Sequence, residues 1–221
     1  MTDPTTQPFE PRLDRCECCP RGCKADRANG VLGWCKSPAG LSIGSICAHR
    51  GEEPVISGTH GICNIFFTRC NMQCVFCQNF EISRRNGEII QTDITFDDLL
   101  DRVERLLDKG CKSVGFVSPS HYFPQTLGII QGLKERGRNP VFVYNTNGYD
   151  RVEAIQRLEN VIDVYLPDFK YMDETVGRTV SRAPDYPRIA AAAIGEMYRQ
   201  MGPDIELDDD GLITRGLITR H

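Results

Sequence analysis

Beyond residue 61, short apolar runs of strand character alternate with stretches of helical period, and this alternation limits the fold more than any other feature. Residues 62–68 read as a buried strand. Thr95-Phe96-Asp97-Asp98 resembles a capping box, after which Phe96, Leu99, Leu100, Val103, Leu106 and Leu107 share one helical face until Gly110 stops it. Residues 112–118 form the next strand, 124–136 a weaker helix, 141–145 a strand, 150–158 a helix and 161–166 another strand. A last helix over 186–201 is closed by Gly202-Pro203, and a final strand starts near Leu212. Such β-α order predicts a parallel sheet with right-handed crossovers.

Directly after the first of these strands comes Cys70-Asn71-Met72-Gln73-Cys74-Val75-Phe76-Cys77. Three thiolates at this spacing suit three irons of a 4Fe-4S cube and leave the fourth iron without a protein ligand. Electron-transfer clusters are closed by four cysteines, whereas a metal with an open position can bind and activate a small molecule. The alternatives are a zinc knuckle, whose usual paired Cys-x2-Cys units are a poor match, or a cluster closed by a distant fourth cysteine, Cys63 or Cys111.

Eleven cysteines in 221 residues would fit a disulfide scaffold only in a shorter secreted chain. No signal peptide is visible, and the longest apolar run, residues 189–194, cannot span a bilayer. A soluble, cytoplasmic protein with reduced, metal-holding thiols is expected. The balance of 26 basic and 30 acidic residues, net −4, offers no basic stripe for nucleic acid.

Three regions follow. Residues 1–15 are rich in Pro and Thr and read as a mobile N-terminus. Residues 16–61 are rich in Cys, Gly and Pro without a sustained period, so a metal is expected to staple them. Cys16, Cys19, Cys23 and Cys35 are the candidate ligands of this second site, with Cys18 and Cys47 as substitutes; a second iron-sulfur cluster, a zinc ion and idle thiols are all compatible. Residues 62–221 form the α/β domain. Gly211-Leu212-Ile213-Thr214-Arg215 is repeated at once over 216–220, and the chain stops at His221 in a strand-like stretch, as expected of part of a longer protein.

The Cys-x3-Cys-x2-Cys run, with Phe76 before the third cysteine, resembles the signature of the radical S-adenosylmethionine superfamily. Cys74-Val75-Phe76-Cys77-Gln78-Asn79 is similar to the motif of glycyl-radical activating enzymes. Cys19-Pro20-Arg21-x-Cys23, Gly51-Glu52-Glu53-Pro54-x-Ile56-Ser57-Gly58, Tyr144-Asn145-Thr146-Asn147-Gly148-Tyr149 and Tyr165-Leu166-Pro167-Asp168-Phe169-Lys170-Tyr171 look like stretches of the pyruvate formate-lyase activating enzyme homologues.

The resemblance implies a partial (β/α)6 barrel lacking its last strands, preceded by the Cys-rich extension, with its site at the C-terminal strand ends. It implies reductive cleavage of S-adenosylmethionine by the cluster and hydrogen abstraction by a 5'-deoxyadenosyl radical, with flavodoxin or ferredoxin as reductant. A protein or peptide substrate, such as the glycyl radical site of a partner enzyme, is the first expectation. A small-molecule substrate and a non-catalytic iron-sulfur protein are the alternatives.

Cofactor contacts are carried over residue by residue. Phe76 would pack beside the adenine, or else belong to the core. Ser118 follows the second strand, where many members have Gly-Gly-Glu; this chain departs from that pattern, and Ser118 with nearby backbone carbonyls would serve in its place, or else the segment is only a Pro-containing turn. Asn145 and Asn147 would bind the ribose or methionyl part, or only form a turn. Asp168 and Lys170 lie two apart and face the barrel mouth, as functional groups or as a structural ion pair. Glu52 and Glu53 precede the first strand and are expected to lie outside the site, and Arg220, near the chain end, to be poorly held.

Overall fold

In the computed structural model, which describes residues 9–221, an eight-stranded sheet runs in the order β3-β1-β2-β4-β5-β6-β8-β7. The strands are β1 (Leu41–His49), β2 (Ile62–Phe67), β3 (Thr92–Ile94), β4 (Ser113–Val117), β5 (Val141–Thr146), β6 (Val164–Pro167), β7 (Glu206–Leu207) and β8 (Ile213–Leu217). From β2 through β4, β5 and β6 to β8 all neighbours are parallel, so spatial order follows chain order. Antiparallel β1, β3 and β7 flank this centre. The fold is mixed α/β with a parallel-strand sheet, as the alternation predicts.

The longer helices are α3 (Phe96–Asp108), α4 (Phe123–Glu135) and α7 (Tyr186–Met201), with shorter α1 (Pro54–Ser57), α2 (Phe80–Ser83), α5 (Val152–Gln156) and α6 (Glu174–Ser181). Helix α3 starts where the capping signal placed it, the Thr95 hydroxyl accepting from the Asp98 N–H at 3.1 Å. Its Leu99, Leu100 and Val103 pack with Ile129, Ile130 and Leu133 of α4, Ile155 of α5 and Met197 of α7 against Cys63, Ile65, Phe116, Phe142, Tyr144 and Tyr165. These helices therefore cover one face of the sheet. Burying that shared apolar stripe is the main stabilising contribution, about 25 cal/mol per Å2.

On the opposite face the alternate strand positions differ in kind. Ile62, Val143, Val164, Leu166 and Ile213 gather around Ile56 of α1, while Asn64 and Asn145 are buried among them. Gly115 on β4 makes room for the first of these, since a Cβ there would lie 2.0 Å from the Asn64 carboxamide oxygen.

Several sequence expectations change. Within the segment expected to be mobile, Phe9 packs edge-on to Phe123 at 5.9 Å, and Leu13 lies on the core. Residues 1–8 of that expected mobile stretch lie outside the described residues. Strand β1 comes from the segment read as lacking periodicity, because His, Cys and Gly dilute its alternation; it nonetheless pairs with β2 from Ile43 to His49. Helix α5 begins at Val152 rather than 150 because the buried Asp150 carboxylate turns back to accept from Tyr144 and Thr146. Helix α6, capped by Asp173, was missed.

Candidate functional site

Strand β2 delivers Thr68, Arg69 and Cys70 past the C-terminal end of the sheet. Arg69 has a positive φ of 63° and its N–H is held by the Ile82 carbonyl at 2.8 Å, so the loop doubles back on itself at once. Three side chains anchor it. Met72 is buried with Tyr149 and Tyr186. The buried Asn71 carboxamide donates to the Tyr149 carbonyl at 2.7 Å and accepts from Asn147 at 2.8 Å. Gln73 accepts from the Arg85 N–H at 2.9 Å.

Cys70, Cys74 and Cys77 all line a cleft of about 590 Å3. Each sulfur has a polar neighbour. The Cys70 Sγ receives the Asn147 carboxamide and the Met72 N–H, both at 3.4 Å; the Cys74 Sγ receives the Ser181 hydroxyl at 3.0 Å; the Cys77 Sγ lies 3.2 Å from the Ser83 Oγ. Burial pushes the Cys70 thiol up to about 12 and raises that of Cys74, with Lys170 acting in the opposite sense. Metal coordination removes the thiol proton outright.

Across the cleft stand the residues that follow the parallel strands. Ser118 after β4 has a positive φ of 52° and opens a 3-10 turn over Pro119–Tyr122. The Pro-containing turn is thus real, and Ser118 also lines the cleft. Asn145 and Asn147, at and after the end of β5, line it too, as do Asp168 and Lys170 after β6. Asn147 has its carboxamide fully engaged, donating to Asn71 and Cys70 and accepting from the Tyr149 N–H at 2.9 Å. It therefore orients the cysteine loop. Asp168 and Lys170 form an ion pair of 2.6 Å. Phe76 is 52% exposed at the cleft wall, which excludes the core reading.

The floor contains two residues that the sequence reading set aside. Glu52, expected outside the site, reaches back over the open face of the sheet: its Oε1 accepts from Asn64 and Asn145, each at 3.0 Å, and its Oε2 from Arg220 at 3.1 Å. Arg220, expected to be poorly held, bonds its own N–H and C=O to Pro167 at the end of β6 and Phe169 just beyond it. Its guanidinium also meets Asp168 at 2.9 Å and Asn145 at 2.8 Å. Tyr186 of α7, unnoticed in the sequence, accepts from the Lys170 N–H at 2.9 Å and donates toward the Asp168 carbonyl at 2.8 Å. Glu52 lies in a stretch that resembles the family, but only the antiparallel return of β1 onto β2 brings it over the sheet.

Cys63 and Cys111, the candidates for a distant fourth ligand, are buried in the core behind the sheet and do not line the cleft. Among the N-terminal cysteines, Cys16, Cys18, Cys19 and Cys35 are buried, Cys23 is exposed, and all are free thiols. Cys18 hydrogen-bonds Cys16, which holds the Cys16 thiol low and its own high, and the buried Arg27 donates to the Cys16 sulfur at 3.6 Å. Among the described residues no three Cys, His, Asp or Glu side chains are arranged to hold a metal ion. A second metal at Cys16, Cys19, Cys23 and Cys35 is therefore not shown, and the sulfurs of Cys70, Cys74 and Cys77 would each meet a different iron of a cluster rather than share one ion.

A family model described as the radical SAM superfamily matches residues 64–194, more than half of the chain and the stretch that carries this cleft. The chain belongs to the radical SAM superfamily. Membership implies a 4Fe-4S cluster and S-adenosylmethionine, and the three thiols, each with a polar neighbour and all on one cleft wall, fit such a cluster. This radical SAM chain is also 34% identical over 142 residues to an uncharacterized protein of Methanocaldococcus jannaschii, a match covering 62% of the chain and 40% of that relative. It thus spans less than half the length of that relative. No helix among the described residues is long and apolar enough to cross a membrane.

Proposed function

We propose that the chain is the cluster-bearing part of a radical S-adenosylmethionine enzyme with the partial (β/α)6 barrel of the activating-enzyme type, Cys70, Cys74 and Cys77 being the cluster ligands. The observation that carries this is the convergence of these thiols with the strand-end polar residues on one cleft. A 4Fe-4S cluster held there by Cys70, Cys74 and Cys77 would supply the single electron for reductive cleavage of S-adenosylmethionine, and with it the means of hydrogen abstraction from a substrate.

The chain's own residues hold and orient. Asn147, Ser181 and the Met72 N–H donate to cysteine sulfur, which stabilises thiolate over thiol. Phe76, exposed on the cysteine loop, offers a flat apolar surface to an adenine. Glu52 and Asp168 balance Arg220 and Lys170 on the opposite wall, and paired charges of this kind suit a zwitterion such as the methionyl end of the cofactor.

A protein or peptide substrate is favoured by Val75 of the cysteine loop and Phe80 just after it, which are 79% and 53% exposed; exposed apolar side chains of this size are surface that a macromolecular partner can cover. The glycyl radical site of a partner enzyme is the substrate class proposed. A one-electron donor such as flavodoxin or ferredoxin, and a reducing cytoplasmic setting for the free thiols, complete the reading.

Anaerobic preparation with iron and sulfide, followed by a strong reductant and S-adenosylmethionine, tests it. About four irons per chain and release of 5'-deoxyadenosine are expected. An intact cluster that leaves the cofactor uncleaved would refute the enzymatic reading and favour a non-catalytic iron-sulfur protein.

A further inference from the structure

We propose that Arg21 is a positioning residue for the cysteine loop, which makes the Cys-rich N-terminal segment one wall of the cluster site; the proposal deepens the reading above and rests on it. Arg21 sits at the tip of a tight hairpin. Its legs are tied by the Cys16 N–H to the Ala25 carbonyl and the Lys24 N–H to the Cys16 carbonyl, both 2.9 Å, and Gly22 closes the turn onto the Cys19 carbonyl at 3.1 Å. From there the guanidinium leaves its own segment altogether.

Its Nε donates to the Asn71 carbonyl at 2.8 Å and its Nη1 to the Arg182 carbonyl at 2.7 Å. These two acceptors are not arbitrary. Asn71 follows Cys70 in the chain, and Arg182 follows Ser181, whose hydroxyl donates to the Cys74 sulfur. One rigid planar fork thus fixes the backbone beside two of the three sulfurs at once, a geometry that a lysine ammonium on a flexible stem does not reproduce.

Two rings hold the fork in place. The guanidinium centre lies 4.2 Å from the Trp34 ring and 5.0 Å from that of Tyr149. Trp34 also meets the Arg85 guanidinium at 4.5 Å, and the Arg85 N–H is bound by Gln73 of the cysteine loop. The single tryptophan of the chain therefore links the start of the loop, through Arg21 and Asn71, to the segment that closes it, through Arg85. The side chain of Asn71 bonds Tyr149 and Asn147, and among the described residues its main-chain carbonyl receives Arg21 and no backbone N–H.

The test compares full-length wild type with Arg21→Ala and Arg21→Lys in two readouts. In metal-free protein, iodoacetamide labelling read cysteine by cysteine should run at least tenfold faster at Cys70 and Cys74 in Arg21→Ala, with Cys63 and Cys111 unchanged. Arg21→Lys should restore little of the protection. In reconstituted protein, Arg21→Ala should alter the paramagnetic resonance spectrum of the reduced cluster. If Arg21→Ala does not fold, Trp34→Leu, which keeps the arginine but removes the ring against it, should give the same selective labelling. Unchanged labelling of Cys70 and Cys74, equal acceleration at all cysteines, or full rescue by lysine would overturn the proposal. Wild type that takes up no iron would instead overturn the cluster reading, while the labelling still judges the clamp.

Discussion

Glu52 and Arg220, separated by 168 positions, meet at 3.1 Å on the open face of the sheet. The pair joins the turn before β2 to the chain beyond β8, and Asn145 of β5 touches both partners. Because the Glu52 side chain is only 8% exposed, removing one partner leaves a buried charge short of a donor. Arg220→Ala should lower unfolding free energy by about 2 kcal/mol in urea titrations. The double variant with Glu52→Gln should recover part of that loss, giving a coupling of about 1 kcal/mol or more. Strict additivity would show the pair to be independent.

Phe76→Ala separates binding from folding. The ring is half exposed, so the unfolding midpoint should move by less than about 0.5 kcal/mol equivalent. Binding of S-adenosylmethionine by the reconstituted protein should weaken roughly tenfold, as expected for one lost aromatic contact of about 1.4 kcal/mol. Calorimetric titration beside a melting curve checks both.

Gly148→Ala should act on the site through the backbone. The residue has a φ of +78°, and a Cβ there would lie 2.4 Å from the Asp168 carbonyl. Strain and displacement together are expected to cost about 2 to 3 kcal/mol. Because Asp168 contacts Arg220 and Lys170, the shift should also weaken cofactor binding in any protein that still folds.

Serine substitutions discriminate among the cysteines. Cys70→Ser, Cys74→Ser and Cys77→Ser should each lose most of the reconstituted iron, while Cys63→Ser and Cys111→Ser should retain it, measured by iron analysis of the anaerobic protein.

His121 supplies a pH dependence. The ring is fully buried, with Nε2 2.9 Å from the Thr68 carbonyl, and burial, with Arg27 adding to it, lowers its pKa from 6.5 to about 4. The unfolded chain binds the proton first, so stability is full above pH 6.5 and falls as the pH drops toward about 4. The loss should reach about 3 kcal/mol. Urea unfolding of wild type and His121→Gln at pH 7 and pH 4.5 should show the steeper decline in wild type; parallel declines would remove His121 as the cause.

The parallel strands and the start of α3 could be read directly because their signals are local. Thr95 caps α3 through its own hydroxyl, and Ile65 and Phe67 face the helices because strand side chains alternate. The Cys-x3-Cys-x2-Cys run was equally legible, since it lies within eight residues. Strand β1 was not, because its pairing with β2 supplies an order that its composition does not announce.

By itself, then, the amino-acid order determined the superfamily, the α/β alternation and the three cysteines, all properties of neighbouring residues. Only the tertiary structure decided that Glu52 belongs inside the site, that Arg220 is rigid, that Asn147 serves the loop, and that Arg21 reaches Asn71. The physical reason is distance along the chain: each of these contacts joins segments whose meeting depends on sheet pairing and burial, and no local pattern encodes the meeting of residues 52 and 220.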